Sequence, residues 1–254
     1  MLHFRTYGPD EGPPVLALHG VTGHSGRWRV LADALPELRF VAVDLRGHGR
    51  SPWTPPWSIE QHLADALTVL DHLGLDRVAV VGHSFGGAIA LHLSHAARQR
   101  VRRLVLLDPA VGLDAKQTLA CAEESRVDET FADLPSARAD RTVRWAGIPD
   151  ELIEEELAEH LVPEGDRWRY RYCPSAAVTA WSEMARPAIP PPAGLPTLLV
   201  PAIYGGFVRP RWVRACGAEL GDALIVEEVD AGHMVYLECA DEVAGLLRPF
   251  LLAG

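Results

Sequence analysis

The 254-residue chain has no basic excess, no paired cysteines and no apolar run of membrane-spanning length. Each lack removes a class of function. Its 24 lysines and arginines are outnumbered by 34 aspartates and glutamates, a formal net charge of −10, so no positive field draws a phosphate backbone towards it. The arginines between Arg98 and Arg103 read as a solvated helix end, and no nucleic acid is expected as a partner. Cys121, Cys173, Cys216 and Cys239 lie far apart without a C-x-x-C pair, the pattern of free thiols in a reducing compartment. The opening Met1-Leu2-His3-Phe4-Arg5 carries no signal-like apolar run. No later stretch reaches the roughly 20 apolar residues that a bilayer requires. The expectation is a cytoplasmic protein with no membrane partner. No fixed-period repeat recurs, no His or Cys cluster has metal-ligand spacing, and neither a P-loop nor G-x-G-x-x-G follows the first apolar run.

What is present is a rhythm of short apolar runs and amphipathic segments. Val15–Leu18, Phe40–Val43, Val78–Val81, Leu104–Leu107, Thr197–Val200 and Leu224–Val226 each end at a turn residue or lead towards one. Runs apolar throughout suit strands covered on both faces, as in a parallel sheet. Between them, Ser58 and Gln61 have capping-box spacing. Leu63, Leu67, Leu70 and Leu73 follow at helical intervals until Gly74. Ala88–Ala97 and Val243–Arg248 read as helices too. The alternation predicts an α/β fold, a doubly wound, mostly parallel sheet. From about Gly112 to Arg186 the rhythm breaks into helical patterns, such as Glu151–Leu161, without a strong strand. Residues 112–186 are therefore expected to form an inserted helical cap over a core made of 1–111 and 187–254. Pro190-Pro191-Pro192 would be the return linker.

Gly82-His83-Ser84-Phe85-Gly86-Gly87 follows a strand and opens a helix, the context that G-x-S-x-G requires. A sharp turn there would expose the Ser84 hydroxyl, and side chains at Gly82 and Gly86 would collide with neighbouring backbone. The helix behind it would aim its N-terminal dipole at developing negative charge. The alternative is a glycine-rich strand-to-helix turn of purely structural use.

Four motifs in order carry a resemblance: His19-Gly20 after an early strand, Asp44-Leu45-Arg46-Gly47-His48-Gly49-Arg50-Ser51, the Ser84 turn, and Gly232-His233-Met234. Together they resemble the α/β-hydrolase superfamily, in its serine-nucleophile branch with a helical cap. The resemblance covers almost all of the chain outside the cap. It implies that His233 is the general base, since imidazole takes and returns a proton near neutrality. It also implies an oxyanion hole built from the backbone N–H groups of Val21 and Phe85. Serine at the turn argues against the haloalkane and epoxide chemistries of related enzymes, which need aspartate there. Of the 11 histidines, His48, His62, His72, His92, His95 and His160 read as surface or supporting groups, and His83 as packing behind the turn. Asp44 reads as a carboxylate tying its own loop through backbone N–H groups.

The acid departs from the family pattern. Many relatives carry an aspartate after the strand matching Thr197–Val200, but no carboxylate occurs from Leu195 to Ala218 and the expected position holds Gly205. Some relatives carry the acid after the preceding strand instead, which assigns the role to Asp108. Alternatives are a helix-capping role for Asp108, and a Ser-His dyad or a degraded enzyme; Asp230, three residues before His233, reads as lying on the wrong side of its loop.

Aromatic and apolar residues in or near the cap, with Trp145, Trp181, Met184 and Tyr236 as the candidates, suggest an apolar substrate chamber. The expected function is hydrolysis of a carboxylic ester or lactone through an acyl-enzyme on Ser84, with a small-molecule substrate and no cofactor or metal. Amide, C–C bond or perhydrolase chemistry on the same triad, and a non-catalytic small-molecule receptor, are the alternatives. No oligomeric state follows from the sequence.

Overall fold

In the computed structural model, which describes residues 1–253, the apolar runs become strands because helices cover both of their faces. The chain opens with β1 (Phe4–Tyr7), β2 (Pro14–Leu18), a short helix α1 (Arg29–Asp33) and β3 (Arg39–Val43). Helix α2 (Ile59–His72), β4 (Val78–His83), α3 (Phe85–Ala96) and β5 (Val101–Leu107) follow. Next come α4 (Ala115–Ser125), β6 (Thr130–Phe131), α5 (Leu134–Arg144), α6 (Asp150–His160), β7 (Leu161–Glu164), β8 (Arg167–Tyr170) and α7 (Pro174–Met184). The chain closes with β9 (Thr197–Val200), α8 (Pro210–Leu220), β10 (Leu224–Val226), α9 (Val235–Glu238) and α10 (Ala240–Leu252).

Seven strands form one sheet in the order β1-β3-β2-β4-β5-β9-β10. Only β1 runs antiparallel, against β3, so the doubly wound and mostly parallel expectation holds. Alternation along each strand feeds two cores. Val15, Ala17, Phe40 and Ala42 pack with residues of α1 and α10 on one face. Leu16, Leu18, Val41 and Val43 pack with α2 and α3 on the other. Each such aliphatic side chain, fully buried, contributes about 1.5–3 kcal/mol. Ser58 caps α2 by accepting the Gln61 N–H at 3.4 Å. The reciprocal half of the capping box is not made, because the Gln61 side chain turns to Asp65 at 3.0 Å. Gly74, at φ +66°, ends the helix.

The strand order places the site. From β2 the chain moves to β3 on one side, and from β4 to β5 on the other. The turns after β2 and β4 therefore part company at neighbouring strand ends, the crevice where open α/β sheets bind ligands.

Between β5 and β9 the structure corrects an expectation. Four helices lie there, but so does a three-stranded antiparallel sheet, β6-β8-β7, where a purely helical segment was expected. Its hairpin turns at Gly165, φ +63°, with Glu164 paired to Arg167. These strands hid from pattern reading because they are two to four residues long, and β7 runs on directly from α6. No helix among the described residues is long and apolar enough to cross a membrane.

Candidate active site

Ser84 sits between β4 and α3 at φ 53° and ψ −118°, a conformation that costs energy for any residue with a side chain. Among the described residues, three non-glycine residues have positive φ: Thr22, Ser84 and Asp108. All three belong to this site, the clustering expected where strain serves function. The turn closes so tightly that a Cβ on Gly82 would lie 2.3 Å from the Gly86 carbonyl oxygen, and one on Gly86 would lie 2.0 Å from that of Leu18. The Ser84 N–H donates to Leu107 at 3.2 Å and its carbonyl accepts the Ala110 N–H at 3.1 Å, so β5 holds the turn in place.

Phe85 begins α3, so its N–H lies in the first turn, where no carbonyl of the same helix serves it. Val21 lines the same cavity as Ser84. Its loop is tied down by His19, whose Nδ1–H donates to the Gly20 carbonyl at 2.7 Å. The His19 Nε2 accepts the Leu45 N–H at 2.9 Å. Burial holds the His19 ring well below its ordinary pKa, consistent with this neutral tautomer.

His233 stands in the loop before α9. Its Nδ1 lies 2.6 Å from Asp108 Oδ2, and Asp108 Oδ1 accepts the Ala202 N–H at 3.1 Å. With Nδ1–H donated to a carboxylate, Nε2 is the nitrogen left to take a proton. Among the described residues Ser84 and His233 share the cavity without a hydrogen bond between them; such bonds often tighten only with substrate bound. Asp108 is fully buried and caps no helix; that task falls to Asp114, which accepts the Lys116 and Gln117 N–H groups at the start of α4. A Cβ on Gly205 would lie 2.1 Å from Asp108 Oδ2. The two strand ends from which a family member can supply its acid therefore converge on one point, and only one of them can fill it. Asp230 is exposed.

Sequence reading missed what holds the His233 loop. Glu238 accepts the Gly232 N–H at 2.6 Å and the Met234 N–H at 3.0 Å, bracketing the histidine. His83 donates Nε2–H to the His233 carbonyl at 2.8 Å, so it packs behind the turn as expected. The five-residue spacing from His233 to Glu238 was the available signal.

Ser84 and His233 open into a cavity of about 360 Å³, with Trp145 and Trp181 in its wall. Phe207, unassigned from sequence, packs on the His233 ring with centroids 4.3 Å apart. The other two candidate substrate contacts are not there. Met184 is 1% exposed and packs in the core with α3 residues. Tyr236 is fully buried, its ring stacked on Trp28 at 4.5 Å. Their apolar character marked core positions, which sequence cannot distinguish from a chamber wall. His48, His62 and His160 are buried rather than superficial; burial depresses His48 to about 4 and His62 to about 3. Asp44 ties its loop as expected, accepting Ser25 N–H at 2.6 Å and Arg50 N–H at 2.8 Å.

Above the serine lies an ionic group that no sequence pattern announced. Glu156 of α6, 3% exposed, accepts Arg27 Nε at 3.0 Å and Arg27 Nη2 at 2.6 Å. It also lies 2.9 Å from His24 Nε2. Burial would raise its pKa, but Arg27 and His24 outweigh that and hold it well below the usual carboxylate value. Arg141 Nη2 stands 3.8 Å from the same carboxylate. Arg27, Arg141 and Arg144 all reach the cavity that holds Ser84.

Known proteins resemble this chain in sequence and in fold. Residues 13–195 match the family described as alpha/beta hydrolase fold. The chain is 41% identical over 252 residues to Lipase LipV of Mycobacterium tuberculosis (strain ATCC 25618 / H37Rv), across 97% of this chain and 96% of that protein. It is 26% identical over 250 residues to Esterase YbfF of Escherichia coli (strain K12), across 94% and 92%. Among solved structures, E-2-(Acetamidomethylene)succinate Hydrolase matches with a TM-score of 0.87 at 20% identity, across 99% of this chain and 95% of that chain, a likeness of fold.

Proposed function

The chain belongs to the alpha/beta hydrolase fold family, and on that premise we propose that it cleaves a carboxylic ester or lactone through an acyl-enzyme on Ser84. Like the relatives named lipase and esterase, it is an ester-hydrolysing enzyme. In the proposed mechanism the Ser84 Oγ attacks the carbonyl carbon and passes its proton to His233 Nε2. Backbone N–H groups of Val21 and Phe85 stabilise the oxyanion, each such donor being worth about 3–4 kcal/mol in the transition state. Collapse expels the alcohol, which leaves with the proton from His233. Water then attacks the acyl-enzyme, His233 accepts its proton, and Ser84 is regenerated with the acid released. Asp108 keeps the imidazole in the Nδ1–H tautomer and stabilises its cation.

The observation that carries this reading is the 2.6 Å contact between Asp108 and His233, made beside a strained serine at the mouth of one cavity. The experiment is fluorophosphonate labelling, together with hydrolysis of 4-nitrophenyl esters of increasing acyl length. Ser84→Ala is expected to abolish labelling and lower kcat by about 10⁶-fold, at unchanged Tm. A wild-type protein inert to every ester and to fluorophosphonate would leave a small-molecule receptor as the better reading.

A further inference from the structure

The cavity above Ser84 is lined by three arginines, Arg27, Arg141 and Arg144, and by no carboxylate. Glu156 is the one carboxylate buried among the described groups of this cluster, and it faces two buried guanidiniums, Arg27 and Arg141. Arg27 and His24 already occupy its oxygens. Arg144 draws on different carboxylates, Asp140 of α5 and Glu129 just before β6. Arg141 is left with one hydrogen bond among the described residues, from Nε to the Tyr170 hydroxyl at 3.2 Å.

Its surroundings determine what could complete it. The guanidinium carbon lies 4.9 Å from the Trp145 ring centroid and 4.1 Å from that of Tyr170, both at cation–π distance. Its remaining N–H donors form a planar fork matched to a carboxylate. Arginine does not escape the cost of burial by losing its proton, and the 3.8 Å ion pair with Glu156 leaves the terminal nitrogens of Arg141 without a hydrogen-bonded acceptor among the described residues. Yet Arg141, 6% exposed, borders the cavity shared with Ser84 and His233.

We propose that Arg141 determines specificity by binding a carboxylate of the substrate, so that the preferred ester is one bearing a free carboxylate beside the scissile bond. This rests on the reading of Ser84 as the nucleophile. The carboxylate can belong to the acyl part or to the alcohol part, and the two are tested separately.

For the acyl side, kcat/KM is measured for the 4-nitrophenyl hemiester of adipic acid and for 4-nitrophenyl hexanoate, which match in chain length. For the alcohol side, 3-carboxyphenyl acetate is compared with its methyl-ester counterpart. Wild type is expected to favour the anion in at least one pair by about tenfold to hundredfold, the span of a hydrogen bond to a charged group. In Arg141→Gln that ratio falls towards one, and in Arg141→Lys an intermediate ratio survives. A general structural role would lower both members of a pair alike and leave the ratio standing, and that result overturns the proposal. So does a wild-type enzyme that cleaves the esters, labels with fluorophosphonate and shows no preference in either pair, whatever the folding of the variants. Inactivity towards all four esters with no labelling removes the serine-hydrolase reading, and this inference falls with it.

Discussion

The sheet and the segment above it are built by different physics. In the sheet, β2, β4, β5 and β9 are almost wholly buried aliphatic residues, and the reactive groups are presented by their terminal turns. Between β5 and β9 the helices are short, and buried charge joins apolar packing in holding them to the core. Glu156 reaches down to Arg27 and His24, Arg141 stacks on Trp145 and Tyr170, and Arg29 pairs with Glu155 at the surface. The lower region fixes where a reaction can occur. The upper one borders the cavity, and the ion pairs of Glu155 and Glu156 join it to residues more than 100 positions away in sequence.

The contrast can be broken most severely from below. Asp108→Asn keeps the size of the side chain but offers His233 the wrong hydrogen-bonding partner, and kcat is expected to fall by about 10⁴-fold with little change in Tm. Full retention of rate would remove Asp108 from the mechanism.

Acid tests the lower region next. Burial holds His19, His48, His62 and His83 neutral by lowering their pKa values. On unfolding they regain an ordinary value near 6.5 and take up protons. Their contribution to stability is therefore complete above about pH 6.5 and is lost as pH falls, down to about 4 for His48 and about 3 for His62. Each group contributes a slope of about 1.4 kcal/mol per pH unit in that window. Urea unfolding at pH 7.5, 6.5 and 5.5 should give steadily lower midpoints. A midpoint independent of pH would mean that these rings are not buried neutral.

In the upper region Glu156→Gln leaves two buried guanidiniums without their carboxylate, at a cost of about 3–5 kcal/mol read as a drop in the urea midpoint. Below about 1 kcal/mol, Arg27 and Arg141 would have to be solvated in the native state. The exposed neighbour Glu155→Gln, which breaks only the surface pair with Arg29, should cost less than about 1 kcal/mol. Equal effects at 155 and 156 would erase the distinction between surface charge and buried charge.

The two regions differed in legibility for the same reason. Six strands of the main sheet, α2, α3 and α10, and the Ser84 turn follow from local signals: apolar runs, a cap, and glycines that a close approach demands; His233 was singled out by the family resemblance. Asp108 needed the family pattern and the blank at Gly205 together; the structure explains the blank, since a side chain at 205 would enter the space of the Asp108 carboxylate. Strand β1, four residues long with polar Arg5 and Thr6 side by side, and the β6-β8-β7 sheet gave no usable periodicity. Met184 and Tyr236 were apolar for the core rather than for substrate.

By itself, then, the sequence determined the alternation of strand and helix and the Ser84 turn from which the proposed nucleophile is read, because these depend on residues within a few positions of one another. Only the tertiary structure decided which carboxylate meets His233, that Glu238 and His83 brace its loop, and that Arg27, Glu156 and Arg141 gather over the serine. Those contacts join positions from 4 to more than 120 residues apart, and through-space electrostatics and packing leave no periodic mark along the chain.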